Sequence, residues 1–106
     1  MPDRTFTYAD LSEGYAVAIE IVAKDGEEKP VARALAALAE PTMAEPGCTL
    51  YAVYRAPDNS NTFLVFEIYT DADGRAAHER TPHFKDFVDN TLPRIASRKL
   101  VRYRPF

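Results

Sequence analysis

The chain has 106 residues, of which 46% are hydrophobic, and a net charge of −3 from 13 basic and 16 acidic residues. This length fits one domain, and an acidic chain without a basic stripe does not have the composition of a nucleic-acid-binding protein. No segment approaches the roughly 18 apolar residues of a membrane span.

The beginning of the chain separates into an arm and the start of a domain. Residues 1–14 have weak periodicity, so we expect an N-terminal arm, either flexible or with a short strand around Phe6–Tyr8, before a domain over residues 15–106. Residues 15–24 are rich in β-branched and aromatic side chains, which predicts a buried strand. The polar N-terminus lacks the apolar run of a signal peptide, and the lone Cys48 forms no intrachain disulfide. We therefore expect a cytoplasmic protein.

A long helix is predicted after the first strand. Pro30 suits a first helical turn, where its missing N–H has no partner in any case. An apolar stripe at helical spacing follows, formed by Val31, Leu35 and Leu38. Pro41 is expected to kink or loosen the last turns of this helix.

The middle of the chain predicts two paired strands. Residues 48–56 and 62–69 are both apolar and aromatic, and a turn-rich loop over residues 57–61 separates them. Because the connection is short, the two strands should form an antiparallel hairpin. Glu67 is the one charged residue of the second strand.

Two further helices and a last strand complete the pattern. Thr70 begins a sequence that resembles a capping box, which predicts a short helix ending near Arg80. Thr81-Pro82 predicts a second helix start, and residues 99–105 predict a strand. One apolar face is predicted for the second helix, formed by Phe84, Phe87, Val88, Leu92 and Ile95.

The predicted order is strand, helix, strand, strand, helix, strand. This is the βαββαβ ferredoxin-like plan of an α+β domain, an antiparallel sheet with helices on one face. A chain this short has little core to spare for an internal pocket. A second copy that covers the open sheet face would give a homodimer, a dimeric α/β barrel.

Several short motifs resemble the antibiotic biosynthesis monooxygenase family. A strand ends in Glu67 and Tyr69, an acidic turn follows, and then come His78 and Pro82-His83-Phe84-Lys85. Glu45-Pro46-Gly47-Cys48, before the second strand, is also similar to the family. The resemblance covers roughly residues 15–105.

This resemblance implies a dimeric barrel and one of several activities. Family members include monooxygenases that oxidise quinols or anthrones with O₂ and no cofactor, and an isomerase of a phosphorylated autoinducer-2 product. Other members degrade haem, but the Asn, Trp and His that they use fall at Ile19, His78 and Val88. The absence of all three argues against haem degradation here.

His78 is the leading catalytic candidate. A neutral imidazole can accept a proton at cellular pH, and both the oxygenase and the isomerase reactions begin with proton removal. The alternative is a solvated or hydrogen-bonded histidine on a helix surface.

Glu67 and Tyr69 are the other catalytic candidates, and we expect them to orient or polarise the reacting groups. They lie two apart on a strand and so share one face. Burying Glu67 is costly unless it is paired or takes up a proton, so the alternative role is a structural ion pair or hydrogen bond.

A substrate pocket between sheet and helices is expected to be lined largely by aromatic side chains. Arg55 could hold an anionic group, although a surface position at a strand end is an alternative. The predicted substrate-binding set is Tyr51, Tyr54, Arg55, Phe66, His83 and Phe87.

The two histidines do not form a zinc-binding helix motif. Such a motif places histidines at i and i+4, whereas His78 and His83 are five apart with Pro82 between them. We therefore predict no metal and no cofactor. Three functions remain open: a monooxygenase of a small aromatic molecule, an isomerase of a small phosphorylated hydroxydione, or a non-catalytic dimer that binds a hydrophobic metabolite.

Overall fold

The computed structural model describes residues 7–106 and contains a four-stranded antiparallel sheet. The spatial order is β2–β3–β1–β4, and every pair of neighbours is antiparallel. The strands are β1 (Tyr15–Ala23), β2 (Cys48–Arg55), β3 (Thr62–Tyr69) and β4 (Ile95–Tyr103). This order, with helical crossovers after β1 and β3, confirms the predicted ferredoxin-like fold.

Within residues 7–106, five α-helices and one 3₁₀ turn connect and flank the strands. They are α1 (Tyr8–Ser12), α2 (Glu28–Ala37), α3 (Ala39–Met43), α4 (Ala72–His78), α5 (Pro82–Asn90) and the 3₁₀ turn Leu92–Arg94. The alternative of a strand around Phe6–Tyr8 is wrong at Tyr8, which begins α1, whereas Phe6 lies outside the described residues. None of the helices among residues 7–106 is long and apolar enough to cross a membrane.

The predicted long helix is divided in two, as expected from Pro41. Proline has no N–H and cannot donate to the carbonyl one turn earlier. The helix α2 therefore ends at Ala37, Leu38 caps it with its N–H on the carbonyl oxygen of Ala34 at 3.2 Å, and α3 begins at Ala39.

The two helices that follow β3 begin at capping residues. The cap of α4 is Asp71 rather than the predicted Thr70, because the Asp71 carboxylate accepts the N–H of Gly74 at 2.9 Å. Thr81 caps α5 as predicted, with its hydroxyl oxygen 3.2 Å from the N–H nitrogen of Phe84.

The predicted helix face of α5 is wrong at its C-terminal end. The helix stops at Asn90, Leu92 lies in the 3₁₀ turn, and Ile95 opens β4. Pro93 interrupts helical hydrogen bonding here. As a result β4 starts four residues earlier and ends two residues earlier than the predicted strand over residues 99–105.

The two faces of the sheet have different surroundings. On the helix side, Val17, Ile19 and Ile21 of β1 are buried in one core cluster with Val31 and Leu35 of α2. The other face, called the open face below, carries the alternate residues of each strand. Three of its large side chains are strongly exposed, namely Leu64 at 43%, Tyr103 at 54% and Tyr54 at 59%.

A hollow of about 570 Å³ lies at one end of the open face. Residues of α1, the adjoining ends of β1 and β3, and the chain from Tyr103 onward form its walls. Its walls include none of the sequence-predicted site residues.

Candidate active site

His78 is the last residue of α4 and lies on the helix side of the sheet. It is only 2% exposed, with its ring centroid 5.6 Å from that of Tyr69 and 5.1 Å from that of Phe84. The hydroxyl of Thr81 donates to the His78 carbonyl at 2.7 Å where α4 ends. His78 is therefore held inside the fold, and the alternative of a solvated surface histidine is wrong.

Glu45 orients the His78 ring. Its Oε2 atom lies 2.8 Å from Nδ1 of His78. The loop that carries Glu45 is fixed on both sides: Gly47 accepts the N–H of Thr70 at 2.9 Å, and a Cβ at Gly47 would lie 2.8 Å from the Cα of Gly74. Only glycine at these positions allows the loop to approach α4 so closely.

His83 reaches the same carboxylate oxygen from the first turn of α5. Its Nε2 lies 2.6 Å from Oε2 of Glu45, and its side chain is 23% exposed. Because a carboxylate accepts, we assign the proton of His78 to Nδ1, which leaves its Nε2 as the basic nitrogen. Glu45, His78 and His83 are called the imidazole cluster below. Their three donor atoms lie within 4.8 Å of one another, so they could hold a metal ion.

Glu67 forms a second buried arrangement, called the guanidinium cluster, with Tyr69 and Arg75. The Tyr69 hydroxyl donates to Oε1 of Glu67, and Nη1 of Arg75 donates to the same oxygen at 2.7 Å. All three side chains are buried, Tyr69 completely. The Glu67 carboxylate thus takes part in both a hydrogen bond and an ion pair, the two structural roles given above as the alternative to catalysis.

The protonation states in the guanidinium cluster are fixed by its surroundings. Burial and the negative charge of Glu67 raise the pKa of Tyr69, so the phenol stays neutral. Burial is the largest single influence on Arg75 and opposes its charge, but Glu67, Tyr69 and Glu79 together outweigh it and raise the pKa of that guanidinium. Because the guanidinium keeps its proton and the phenol stays neutral, this cluster has little capacity to move a proton.

The predicted substrate-binding residues divide between two faces of the sheet. On the helix side, Tyr51 is buried, and its hydroxyl donates to the Leu35 carbonyl at 2.8 Å. Phe87 is partly buried against the core. Phe66 and Tyr54 lie on the open face, away from His78, because they alternate with Glu67 and Val53.

Arg55 is exposed at the end of β2 and spreads over an aromatic ring. Its guanidinium carbon lies 5.0 Å from the ring centroid of Phe63. The structure therefore brings together His78, His83 and Tyr69, but leaves Arg55 at a separate strand end.

Two site residues were not identified from the sequence as candidates. Arg75 carries a usable signal, since it lies three residues before His78 and therefore on the same face of α4. Glu45 was recognised only as part of the motif before β2. Its partners lie 33 and 38 residues further along the chain, a distance at which spacing predicts no contact.

Comparison with known proteins places this fold in one family. The sequence profile described as antibiotic biosynthesis monooxygenase matches residues 14–90. An uncharacterised protein of Synechocystis is 35% identical over 57 residues, which cover 54% of this chain and 39% of that protein. The match thus spans well under half the length of that curated relative.

Solved structures agree with this assignment. A protein of Pseudomonas aeruginosa superimposes with a TM-score of 0.85 at 25% identity, covering 90% of this chain and 96% of that one. A protein of Nitrosomonas europaea, provisionally named an antibiotic biosynthesis monooxygenase, superimposes with a TM-score of 0.81 at 24% identity, covering 84% and 95%. The second likeness shows the fold. The match of the profile over most of the chain shows that this protein belongs to the antibiotic biosynthesis monooxygenase family.

Proposed function

We propose that the protein is a monooxygenase that oxidises a small aromatic substrate of the quinol or anthrone type with O₂ and without a cofactor. The observation that carries this proposal is the contact between Glu45 and Nδ1 of His78 in a chain of this family. A carboxylate that orients a buried imidazole is an arrangement used for general base catalysis.

His78 acts as the base in this proposal. Its Nε2 takes a proton from a phenolic hydroxyl or an activated C–H of the substrate, and Glu45 stabilises the imidazolium that forms. The resulting electron-rich anion reduces O₂. One oxygen atom enters the substrate, the other leaves as water, and the substrate supplies all four electrons, so the balance requires no external reductant.

Glu67 and Tyr69 act as positioning residues. Oε1 of Glu67 accepts from both the Tyr69 hydroxyl and Arg75, so the polar groups of both residues are already engaged. The ring of Tyr69 packs beside His78, and Glu67 holds its hydroxyl. His83, more exposed, lies on the side from which a substrate would approach the cluster.

We also propose that the protein works as a homodimer joined through the open face. Exposed Tyr54, Leu64 and Tyr103 form part of an apolar surface that a second copy of the same sheet would cover. A mass measurement in solution tests this proposal, and a stable monomer at micromolar concentration would contradict it.

Oxygen consumption with a panel of hydroquinones and anthrones tests the oxygenase. We expect His78→Ala to lower turnover by about 10²–10⁴-fold, the usual contribution of a general base, while the exposed-residue control Lys85→Ala keeps full turnover. Labelled O₂ should place one oxygen atom in the product. Equal turnover by His78→Ala and the original protein would remove His78 from the mechanism, and aromatic binding without turnover would support the non-catalytic alternative.

An isomerase of a small phosphorylated hydroxydione is the second proposal. Two imidazoles on one carboxylate suit a reaction that removes a proton and returns it nearby. Against it, the nearby guanidinium of Arg75 is already neutralised by Glu67. Phosphorus NMR of the protein with such a phosphate ester decides, because unchanged signals for the ester would dismiss the isomerase.

A further inference from the structure

We infer that the imidazole cluster of Glu45, His78 and His83 is a binding site for a divalent transition-metal ion of the zinc type. Two ring nitrogens and one carboxylate oxygen converge, at 2.8 and 2.6 Å from nitrogen to oxygen. Imidazole and carboxylate are ligands that zinc and its neighbours accept. The two histidines lie on different helices, so the site is formed by the fold and not by one helical motif.

The three donor atoms lie within 4.8 Å of one another, so a bound ion would draw them to a common spacing. With metal–ligand distances of about 2.0–2.1 Å in a tetrahedron, neighbouring ligand atoms lie about 3.3 Å apart. The two hydrogen bonds are shorter than this, so the Glu45 oxygen must withdraw by roughly 0.5–0.7 Å when an ion replaces the two protons. The Glu45 side chain can make such a shift by rotating about its own bonds, without moving the loop that Gly47 fixes.

One side of the cluster is fixed and the other is accessible. His78 is held between the rings of Tyr69 and Phe84, whereas the His83 side chain is 23% exposed. An ion can therefore enter from the side of His83 and keep water as a fourth ligand. Three protein ligands with one open position are typical of reactive zinc sites, in contrast to closed structural ones.

This site goes beyond the proposed oxygenase and does not depend on it. A metal ion on Nδ1 of His78 requires that nitrogen to be free of its proton, which leaves the remaining proton on Nε2. Metal-loaded His78 then has no lone pair for a substrate proton. Metal binding and the proposed base reaction should exclude each other, so zinc should inhibit the oxygenase.

Calorimetric titration of chelator-treated protein with Zn²⁺, followed by visible absorption with Co²⁺, tests the site. We expect one ion per chain, and Co²⁺ bands of nitrogen and oxygen ligation. The sequence has only two histidines, so an imidazole signal belongs to this cluster. Glu45→Gln and His83→Ala should each weaken binding by more than about 100-fold, since even indirect partners of a metal cost 10–100-fold. Glu40→Gln, at an exposed position, should leave affinity unchanged.

The outcomes for the metal and for the oxygenase are separable. Binding that is absent in the original protein, or that His83→Ala leaves intact in a folded variant, would overturn the metal site. If His83→Ala does not fold, the Co²⁺ spectrum of the original protein still decides, because bands without imidazole ligation overturn the site. Metal binding with no oxygen consumption would support the site and contradict only the oxygenase.

Discussion

Two carboxylates on the helix side of the sheet, Glu45 and Glu67, are each held by two partners, yet their clusters differ in what they can do. The guanidinium cluster is sealed, and its positive partner, Arg75, keeps its charge. In the imidazole cluster both partners are histidines, and His83 is partly exposed. Burial of a carboxylate alone therefore does not indicate a site that can transfer a proton. Such a site also needs a partner, such as histidine, that can gain or lose a proton near neutral pH.

The largest expected effect is on stability and falls in the guanidinium cluster. Glu67→Leu removes the buried partner of Arg75 and leaves its guanidinium with the exposed Glu79 carboxylate at 3.5 Å, so we expect the free energy of unfolding to fall by about 3–5 kcal/mol. Urea denaturation measures this change. The double variant Glu67→Leu with Arg75→Met should recover much of the loss, and a double variant as unstable as the single one would refute the paired-charge explanation.

The next effect separates activity from stability in the imidazole cluster. Glu45→Gln removes the charged acceptor of His78 and should lower oxygen consumption by at least about 100-fold. The free energy of unfolding should fall by less than about 2 kcal/mol, since no buried permanent charge is left unpaired. Exposed Glu40→Gln is the matched control, and normal turnover by Glu45→Gln would show that Glu45 does not serve His78.

A smaller effect concerns the contact that fixes the Glu45 loop. Gly47→Ala places a Cβ 2.8 Å from the Cα of Gly74, so we expect a loss of about 1–3 kcal/mol in the free energy of unfolding. Gly74→Ala should cost a similar amount, because its Cβ would lie 2.9 Å from the Gly47 carbonyl oxygen. The two losses should not add in the double variant; strict additivity would argue against a shared contact.

The smallest effect is spectroscopic. Burial and Glu67 raise the pKa of Tyr69, and burial first and Glu67 second raise that of Tyr51. Because the pKa values of Tyr69 and Tyr51 are higher in the folded chain than in the unfolded chain, these two residues contribute to stability below about pH 10. This contribution is lost as the pH rises through their folded-state pKa values. In an absorbance titration at alkaline pH, Tyr69→Phe should leave the early part of the phenolate signal unchanged. An early signal lost in Tyr69→Phe would contradict a sealed cluster.

Much of the fold follows from local patterns in the sequence. The first three strands, the cap at Thr81 and the loosening of the helix at Pro41 were predicted and confirmed. The errors fall where competing local signals overlap: Asp71 caps α4 in place of its neighbour Thr70, and Pro93 ends the helical pattern that Leu92 and Ile95 had extended.

The candidate site was less predictable because its contacts are long-range. Strand alternation predicts that Glu67 and Tyr69 share a face, and a helical spacing of three relates Arg75 to His78. No local pattern joins Glu45 to His78 and His83, because that contact depends on how a loop packs against two helix ends. Alternation also places Phe66 on the opposite face to Glu67, but composition alone does not show which of the two faces the helices cover.

The most direct test of the central claim, that Glu45 holds His78 ready to accept a proton at Nε2, is the nitrogen-15 NMR spectrum of the two imidazoles. His83→Ala assigns the signals, because the chain has only two histidines. We predict that Nδ1 of His78 carries the proton while Nε2 shows the shift of an unprotonated nitrogen. A proton on Nε2 of metal-free His78, or a bare Nδ1, would contradict the account.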